Sequence, residues 1–226
     1  LCQIGYGPVS DMAGRRPPLF FGLGVFCVAS IGCALSRSFV CLIFLRFFQG
    51  LGAASVIVVP RAIIRDRYTW VEATRMMALT MLVVSVAPML APLFGSGLIL
   101  LFGWRSVFVG ITLAALLALV LVWKALPETH PSEKRMPIRA ARMAAAFGTL
   151  VRDPVFMGLT FIAGLGMASF FAFLASSSFL YIDHFGLTPT QYSLAFSFNA
   201  IGFFAASQAA AGLGARHGIT RVIKGA

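Results

Sequence analysis

A single arginine interrupts one of the long apolar stretches of this chain. Arg46 is the one charged residue between Phe39 and Pro60. An arginine at the centre of a membrane-spanning helix costs about 2.5–3.5 kcal/mol on insertion scales, so it normally faces a water-filled cavity or an acidic partner. All seven acidic residues lie in predicted loops or at the ends of apolar runs: Asp11, Asp66, Glu72, Glu128, Glu133, Asp153 and Asp183. The sequence therefore predicts a guanidinium that faces a cavity, with snorkelling of Arg46 towards the outer interface as the alternative.

A second group of charges lies near the start of the chain, in the segment GPVSDMAGRR (7–16). Asp11 ends an apolar helix and can accept hydrogen bonds from the N-terminus of another helix. Gly14 permits a tight chain reversal, and Gly7 permits close packing of a neighbouring helix. The segment thus has the residue types for a charged contact with another helix. The plainer alternative is that Arg15 and Arg16 only retain this loop in the cytoplasm.

The composition is that of a membrane protein. Of the 226 residues, 59% are hydrophobic and 11% are charged, whereas about 25% of residues are charged in soluble domains. Apolar stretches long enough to cross a hydrocarbon core about 30 Å thick recur along the chain. We expect an all-α membrane protein with six full spans and the end of a seventh at 1–6. The six spans are 18–35, 39–60, 77–101, 107–125, 155–182 and 191–213.

The basic residues indicate how these spans are oriented. Fifteen of the 18 Lys and Arg residues fall on one side of the predicted membrane, and only Arg37 and Arg105 fall on the other. Cytoplasmic loops carry the excess of basic residues, so the majority side is the cytoplasm. The formal net charge of +11 is thus a signal of topology. A nucleic-acid-binding protein would instead carry that charge on one soluble face, so nucleic acid is not an expected partner.

The longest polar connection, 126–154, is basic and is interrupted by Pro127, Pro131 and Pro137. We expect it to be a cytoplasmic linker between an N-terminal helical bundle, 1–125, and the start of a C-terminal bundle, 155–226. Within it, 138–151 has the apolar and basic pattern of an amphipathic helix on the anionic inner leaflet. Both ends of the chain fall inside a continuous sequence pattern rather than at its boundary, so we expect the chain to be an internal portion of a longer protein.

Three segments resemble signatures of one transporter family. Residues 7–16 resemble the GxxxDRxGRR signature between helices 2 and 3 of the major facilitator superfamily, and RFFQGLGAA (46–54) resembles the RxxQGxGAA signature of helix 4. APMLAPLFGSG (87–97) resembles GxxxGPxxGG, the helix 5 signature of antiporters in that superfamily. Within the superfamily, the chain is similar to the drug:proton antiporters of the bicyclomycin and chloramphenicol resistance (Bcr/CflA) type.

The resemblance implies the major facilitator fold, in which two six-helix bundles rock about a central cavity. On that alignment the chain runs from late helix 2 to the loop after helix 8. The resemblance also implies three groups of site residues. The cytoplasmic gate comprises Gly7, Asp11, Gly14, Arg15 and Arg16; the proton-coupling group at the cavity comprises Arg46, Gln49 and Gly50; the antiporter-type helix 5 motif comprises Ala87, Pro88, Ala91, Pro92 and Gly95.

Two of these groups depart from the family signatures. Met12 stands where the family usually has arginine, which removes one charge from the gate. Ala87 and Ala91 stand where the helix 5 signature has glycine, and Ser96 replaces the last glycine of that signature. Close packing of small residues between helices, without any relation to antiport, is therefore an alternative for helix 5.

Polar and aromatic residues of the last two spans are candidates for a substrate cavity. We select Asn199, Gln208 and Phe171, with lipid-facing or interhelical positions as the alternative. The four cysteines are predicted to be buried free thiols, and neither they nor the three histidines have metal-ligand spacing. We therefore expect neither a metal nor a cofactor.

The combined features predict proton-coupled efflux of small amphipathic drugs by alternating access across the bacterial inner membrane. The expected partners are a small amphipathic substrate, protons and the lipid bilayer, and the full-length protein is expected to be a monomer. A metabolite or sugar importer or exchanger on the same fold is the leading alternative, since a fold does not determine a substrate. A membrane-embedded enzyme is the alternative from another class, but no cluster of acids or histidines within a span supports it, so we predict no enzymatic activity.

Overall fold

The computed structural model describes residues 2–131, 133 and 140–217 of the chain. Within that part the fold consists of α-helices joined by short connections, and no strand occurs in it. The helices are α1 (Cys2–Ala13), α2 (Arg16–Leu35), α3 (Phe39–Arg67), α4 (Trp70–Phe102), α5 (Arg105–Ala125), α6 (Ala140–Arg152), α7 (Pro154–Phe179) and α8 (Pro189–His217). A π-helical turn, Leu180–His184, continues α7.

Three of the helices begin at side chains that cap their free backbone N–H groups. Both Oγ1 and the backbone N–H of Thr69 donate to the Glu72 carboxylate at the start of α4. At α8, the Thr188 N–H donates to Gln191 Oε1, and the Gln191 N–H donates back to Thr188 Oγ1. Asp153 Oδ1 accepts from two N–H groups in the first turn of α7. The reciprocal pair at α8 is a capping box, and at α4 the Glu72 carboxylate supplies one half of that motif.

The helices group into two compact units. The first unit comprises Leu1–Met77 and Phe102–Phe173. Helix α2 is at its centre and packs against α1, α3 and α5, and α1 also packs against α3. Its buried residues include Leu19, Leu23 and Cys33 on α2 and Val59 on α3. The second unit comprises Ala78–Leu101 and Leu174–Ala226, and in it α8 packs against the π-helical turn.

Polar contacts at the two ends of the first unit show that α2 runs antiparallel to α3 and to α5. At one end, Arg105 Nη2 donates to the Ser36 carbonyl at 3.0 Å, which joins the start of α5 to the end of α2. At the other end, Arg15 Nε donates to Asp66, which joins the start of α2 to the last turn of α3. Five residues of the predicted cytoplasmic excess lie outside the described part of the chain: Lys134, Arg135, Arg139, Arg221 and Lys224.

The predicted spans agree with the helices in number and order but are too short in places. Helix α3 does not end at Pro60; it continues to Arg67. Helix α4 starts at Trp70 rather than at residue 77. Four helical segments of the described part are long and apolar enough to cross a membrane, namely Arg16–Leu35, Phe39–Arg67, Arg105–Ala125 and Pro154–His184, and Leu90–Phe102 is a shorter apolar segment.

Helices α2 and α3 approach each other closely at a pair of glycines, Gly22 and Gly52. A Cβ atom on Gly22 would overlap the Ser55 side chain, and one on Gly52 would press on the Gly22 carbonyl and the Phe26 backbone. Small residues allow helix backbones in membranes to approach in this way. Gly52 belongs to the segment that resembles the helix 4 signature, so close packing accounts for that glycine.

Replacing Gly22 with alanine tests this contact. The added methyl group overpacks the α2–α3 contact, which typically costs about 1–3 kcal/mol. We expect a lower thermal unfolding midpoint for the purified full-length protein in detergent. Gly24→Ala is the matched control, because a Cβ atom at Gly24 meets nothing within 4 Å. Equal midpoints for the two variants would contradict the close contact.

Candidate functional site

Arg15 is the centre of a buried polar cluster at the turn between α1 and α2. Its Nη1 atom donates to Ser10 Oγ at 2.7 Å and to Asp11 Oδ1 at 2.6 Å, and its Nε atom donates to Asp66 Oδ2 at 2.7 Å. The Arg15 side chain is only 4% exposed. Gly14 brings it there, because this residue reverses the chain with φ = 94°, a backbone conformation that favours glycine. One guanidinium thus joins α1, α2 and the end of α3.

The charge of Arg15 is stabilised by its acidic partners. Burial by itself lowers the pKa of the guanidinium, but the hydrogen bonds and charges of Asp66 and Asp11 outweigh burial, so the pKa lies above its ordinary value. A cation whose pKa is raised on folding stabilises the fold at every pH below its unfolded pKa, and loses that contribution only as the pH rises through the folded pKa. Arg15 therefore holds this cluster across the whole physiological pH range.

The segment after α5 is attached to the same turn by Glu128. Its two carboxylate oxygens accept hydrogen bonds from the backbone N–H groups of Arg15 (2.8 Å) and Arg16 (3.2 Å) at the start of α2. A carboxylate is favoured at this end of a helix because the first N–H groups have no partner within the helix. Arg16 Nη2 also donates to the Trp123 carbonyl at 3.2 Å. The gate cluster, defined here as Ser10, Asp11, Arg15, Asp66 and Glu128, thus links four segments of the first unit.

Three of the five predicted gate residues line a cavity of about 330 Å³. Gly7, Asp11 and Arg15 line it together with Arg61 and Arg65 of α3. The Asp11 side chain is 56% exposed even though it accepts from Arg15. A Cβ atom on Gly7 would meet nothing within 4 Å, so close packing of a neighbour at this glycine is not found in the described residues. More than half of the Asp11 side chain thus stays accessible to a further donor.

The structure brings the predicted residues Arg46 and Gln49 together on α3. Arg46 Nη1 donates to Gln49 Oε1 at 2.7 Å, and the guanidinium lies over the Phe108 ring, 5.5 Å from its centroid. Gln49 is buried, whereas Arg46 is exposed in the described part of the chain. A Cβ atom on Gly50 would meet nothing within 4 Å. No ion pair to Arg46 is present among the described residues. This agrees with the sequence, in which no acidic residue lies in the middle of a predicted span.

The other predicted site residues lie on α4, α7 and α8. The helix 5 motif, Ala87, Pro88, Ala91, Pro92 and Gly95, lies within the continuous helix α4. Asn199 on α8 is exposed, and the Gln208 and Pro88 side chains lie outside the described part. Phe171 on α7 is 61% exposed and contacts Phe170 edge to face. Since Phe171 belongs to the first unit and Asn199 to the second, their assignment to one cavity stays a prediction.

Ser30 is a buried polar residue beside the predicted Gln49 that the sequence did not single out, whereas Ser177 is one of the polar residues of the last two spans that the sequence proposed for a substrate cavity. Ser30 is fully buried and accepts a hydrogen bond from Gln49, and Ser177 on α7 shares one with the Tyr192 hydroxyl at 2.9 Å. A serine within an apolar span is the signal that could have identified Ser30.

Among the described residues no group of His, Cys, Asp and Glu is arranged to hold a metal ion, and Cys27 and Cys33 are buried free thiols. Cys41, predicted to be buried, is exposed.

Comparisons with known proteins agree with the sequence resemblance. The chain is 35% identical over 207 residues to "Uncharacterized MFS-type transporter YdgK" of Bacillus subtilis, covering 91% of this chain and 52% of that protein. It is 31% identical to "Bicyclomycin resistance protein homolog" of Haemophilus influenzae (91% and 52%) and to "Chloramphenicol resistance protein" of Pseudomonas aeruginosa (88% and 46%). The chain thus spans about half the length of the curated relatives it matches.

A solved structure and a family model extend this agreement to the fold. The crystal structure of the human organic anion transporter MFSD10 (TETRAN) superposes with a TM-score of 0.66 at 25% identity, covering 88% of this chain and 50% of that one. The predicted fold class is confirmed by this structural likeness, and these relatives are named as transporters, in agreement with the predicted absence of enzymatic activity. Because the model of the Major Facilitator Superfamily matches residues 1–226, the chain belongs to that superfamily.

Proposed function

We propose that the full-length protein exports small amphipathic compounds across the bacterial inner membrane in exchange for protons. The observation that carries this proposal is Arg46, a cation in the apolar part of α3 that Gln49 holds by a 2.7 Å hydrogen bond and that has no acidic partner among the described residues. A cation in such surroundings favours the charged form of a carboxylate that comes near it. Proton release from that carboxylate is then coupled to its approach to Arg46.

The names of the relatives support a drug as the substrate. Two proteins about 31% identical to this chain are named for bicyclomycin and chloramphenicol resistance. Both compounds are small and uncharged, and an uncharged substrate does not compete with a carboxylate for the positive charge of Arg46. An organic anion exchanger is the second candidate, favoured by the likeness to the human organic anion transporter MFSD10 and by the positive charge of Arg46.

The gate cluster suits the cytoplasmic side of such a transporter. Arg15 keeps Asp11 in place, while more than half of the Asp11 side chain stays exposed beside the cavity of about 330 Å³. Asp11 can therefore accept donors from the other helical bundle when the cytoplasmic side closes. Charge-assisted hydrogen bonds of this kind are about twice as strong as neutral ones, so they can bias which side of the cavity is open.

Proton exchange can be tested in everted membrane vesicles that contain the full-length protein. Respiration acidifies the vesicle interior, and a proton-exchanging exporter then moves drug inwards as protons leave. We expect chloramphenicol to raise the internal pH, read from the fluorescence of an acridine dye, only in vesicles that contain the protein. Accumulation of labelled chloramphenicol should stop when a protonophore is added. Accumulation that persists with the protonophore would refute proton coupling, and an internal pH that responds to organic anions but not to drugs would favour the second candidate.

A further inference from the structure

A chain of three hydrogen bonds runs from Arg46 into the contact between α2 and α3. Arg46 Nη1 donates to Gln49 Oε1, Gln49 Nε2 donates to Ser30 Oγ, and Ser30 Oγ donates to the Phe26 carbonyl, each at 2.7 Å. Gln49 is 4% exposed and Ser30 is fully buried. The chain therefore ends in the α2 backbone, which cannot move independently of the helix.

The direction of this chain determines which end of the Gln49 amide faces Arg46. The Ser30 hydroxyl has one hydrogen, and that hydrogen is donated to the Phe26 carbonyl. Ser30 Oγ can therefore only accept from Gln49, so the amide nitrogen must point to Ser30 and the amide oxygen to Arg46. Without the Ser30 oxygen, the amide could rotate by half a turn and present its NH₂ group to the guanidinium, which has no acceptor.

A second constraint on Arg46 comes from α5. The guanidinium carbon is 5.5 Å from the centroid of the Phe108 ring. A cation over an aromatic face is attracted by the negative charge density of the ring. Phe108 and Gln49 thus hold the guanidinium from two helices, and Ser30 adds a third helix through Gln49.

We propose that Ser30 and Phe108 are positioning residues for Arg46: Ser30 fixes the orientation of the Gln49 amide, and Phe108 fixes the plane of the guanidinium. Together they keep the cation in one place on α3, where an approaching carboxylate can release its proton. This inference deepens the proposed function and rests on it. It adds two residues outside the segment that resembles the helix 4 signature.

The test uses the full-length protein in membranes and two measurements. The first is the rate at which phenylglyoxal modifies Arg46, read by mass spectrometry of the peptide that contains it. The second is the pH dependence of chloramphenicol efflux. Loss of one neutral hydrogen bond changes the ratio of two conformations by a factor of about five. In Ser30→Ala we therefore expect Arg46 to react about fivefold faster with phenylglyoxal. We also expect efflux to fall about fivefold and its pH profile to shift.

Four comparisons separate positioning from packing. Ser30→Thr keeps the hydroxyl, so it should retain most of the wild-type labelling rate and efflux. Phe108→Tyr keeps the aromatic ring and should also retain them, whereas Phe108→Leu should not. In a Gln49→Ala background, Ser30→Ala should add no further effect, because Ser30 acts through Gln49. Thr112→Val is the matched control: Thr112 is buried on α5 and donates to its own helix at the Phe108 carbonyl, as Ser30 does on α2. Loss of this hydroxyl should leave Arg46 labelling and efflux as in the wild type.

The outcomes distinguish this inference from the proposed function. Unchanged Arg46 labelling in Ser30→Ala, or an additive effect in the Gln49→Ala background, would overturn the positioning role. Faster labelling together with unchanged efflux and an unchanged pH profile would support the positioning contact but overturn the role of Arg46 in transport.

Discussion

Replacing Arg46 with alanine in the full-length protein should abolish drug efflux while leaving the protein in the membrane. The substitution removes the one charge in the sequence between Phe39 and Pro60 and leaves Gln49 Oε1 without its donor. Removing a preorganised donor from a reacting group typically lowers a rate about 100- to 1,000-fold, and we expect a loss of at least about 100-fold here. The measurements are the initial efflux rate in cells and the drug concentration that prevents growth, each normalised to the amount of protein in the membrane.

Two variants show whether charge or geometry is responsible. Arg46→Lys keeps the charge but loses the planar group that lies over Phe108, so it should retain only part of the activity. Arg37→Ala is the matched control, because Arg37 is an exposed arginine in the loop just before α3 and has no ion pair among the described residues. Wild-type efflux by Arg46→Ala would refute the proposed proton coupling. Equal losses in Arg46→Ala and Arg37→Ala would indicate a general effect of charge on membrane insertion.

The sequence predicts the helices of this fold better than it predicts where they end. Apolar runs report which residues lie in hydrocarbon, but a helix can continue into water. Pro60 marks the end of an apolar run, yet a proline removes only one backbone donor and membrane helices tolerate it. The polar last turns of α3 remain helical, with Ala62 buried and Asp66 bonded to Arg15. The Thr69-x-x-Glu72 spacing is a local signal that does identify the start of α4.

The residues of the candidate site could be predicted from the sequence, but the contacts between them could not. Arg46 and Gln49 lie three residues apart, so the helical period alone places them side by side. Two of the partners of Arg15, Asp66 and Glu128, are 51 and 113 residues away in sequence. Which acid it meets depends on the packing of α2 against α3 and α5, and neither spacing nor composition encodes that packing. The sequence therefore suggests that Arg15 and Asp11 bind another part of the protein, whereas in the structure Arg15 binds residues of its own unit.

Replacing Arg15 with alanine should destabilise the protein more than any other single change in the gate cluster. Removing one member of a fully buried ion pair costs about 3–5 kcal/mol. The Asp66 and Asp11 side chains stay 22% and 56% exposed, so water can solvate them once Arg15 is lost. We therefore expect a cost of about 2–3 kcal/mol, since hydrogen bonds to charged groups contribute more than neutral ones but exposed pairs contribute little. The measurement is the thermal unfolding midpoint of the purified full-length protein in detergent.

Arg61→Ala is the control for the loss of a positive charge at the same place. Arg61 lines the same cavity, but the part of the chain that the structure describes contains no hydrogen-bond or ion-pair partner for it. Its replacement should leave the unfolding midpoint nearly unchanged. Asp66→Asn should lower the midpoint by less than Arg15→Ala, and the two changes together should cost less than the sum of their separate effects, because they remove a shared contact. Arg15→Ala and Arg61→Ala with the same midpoint would mean that the buried contacts of Arg15 do not stabilise the fold. The turn at Gly14 would then serve only to retain its arginines in the cytoplasm.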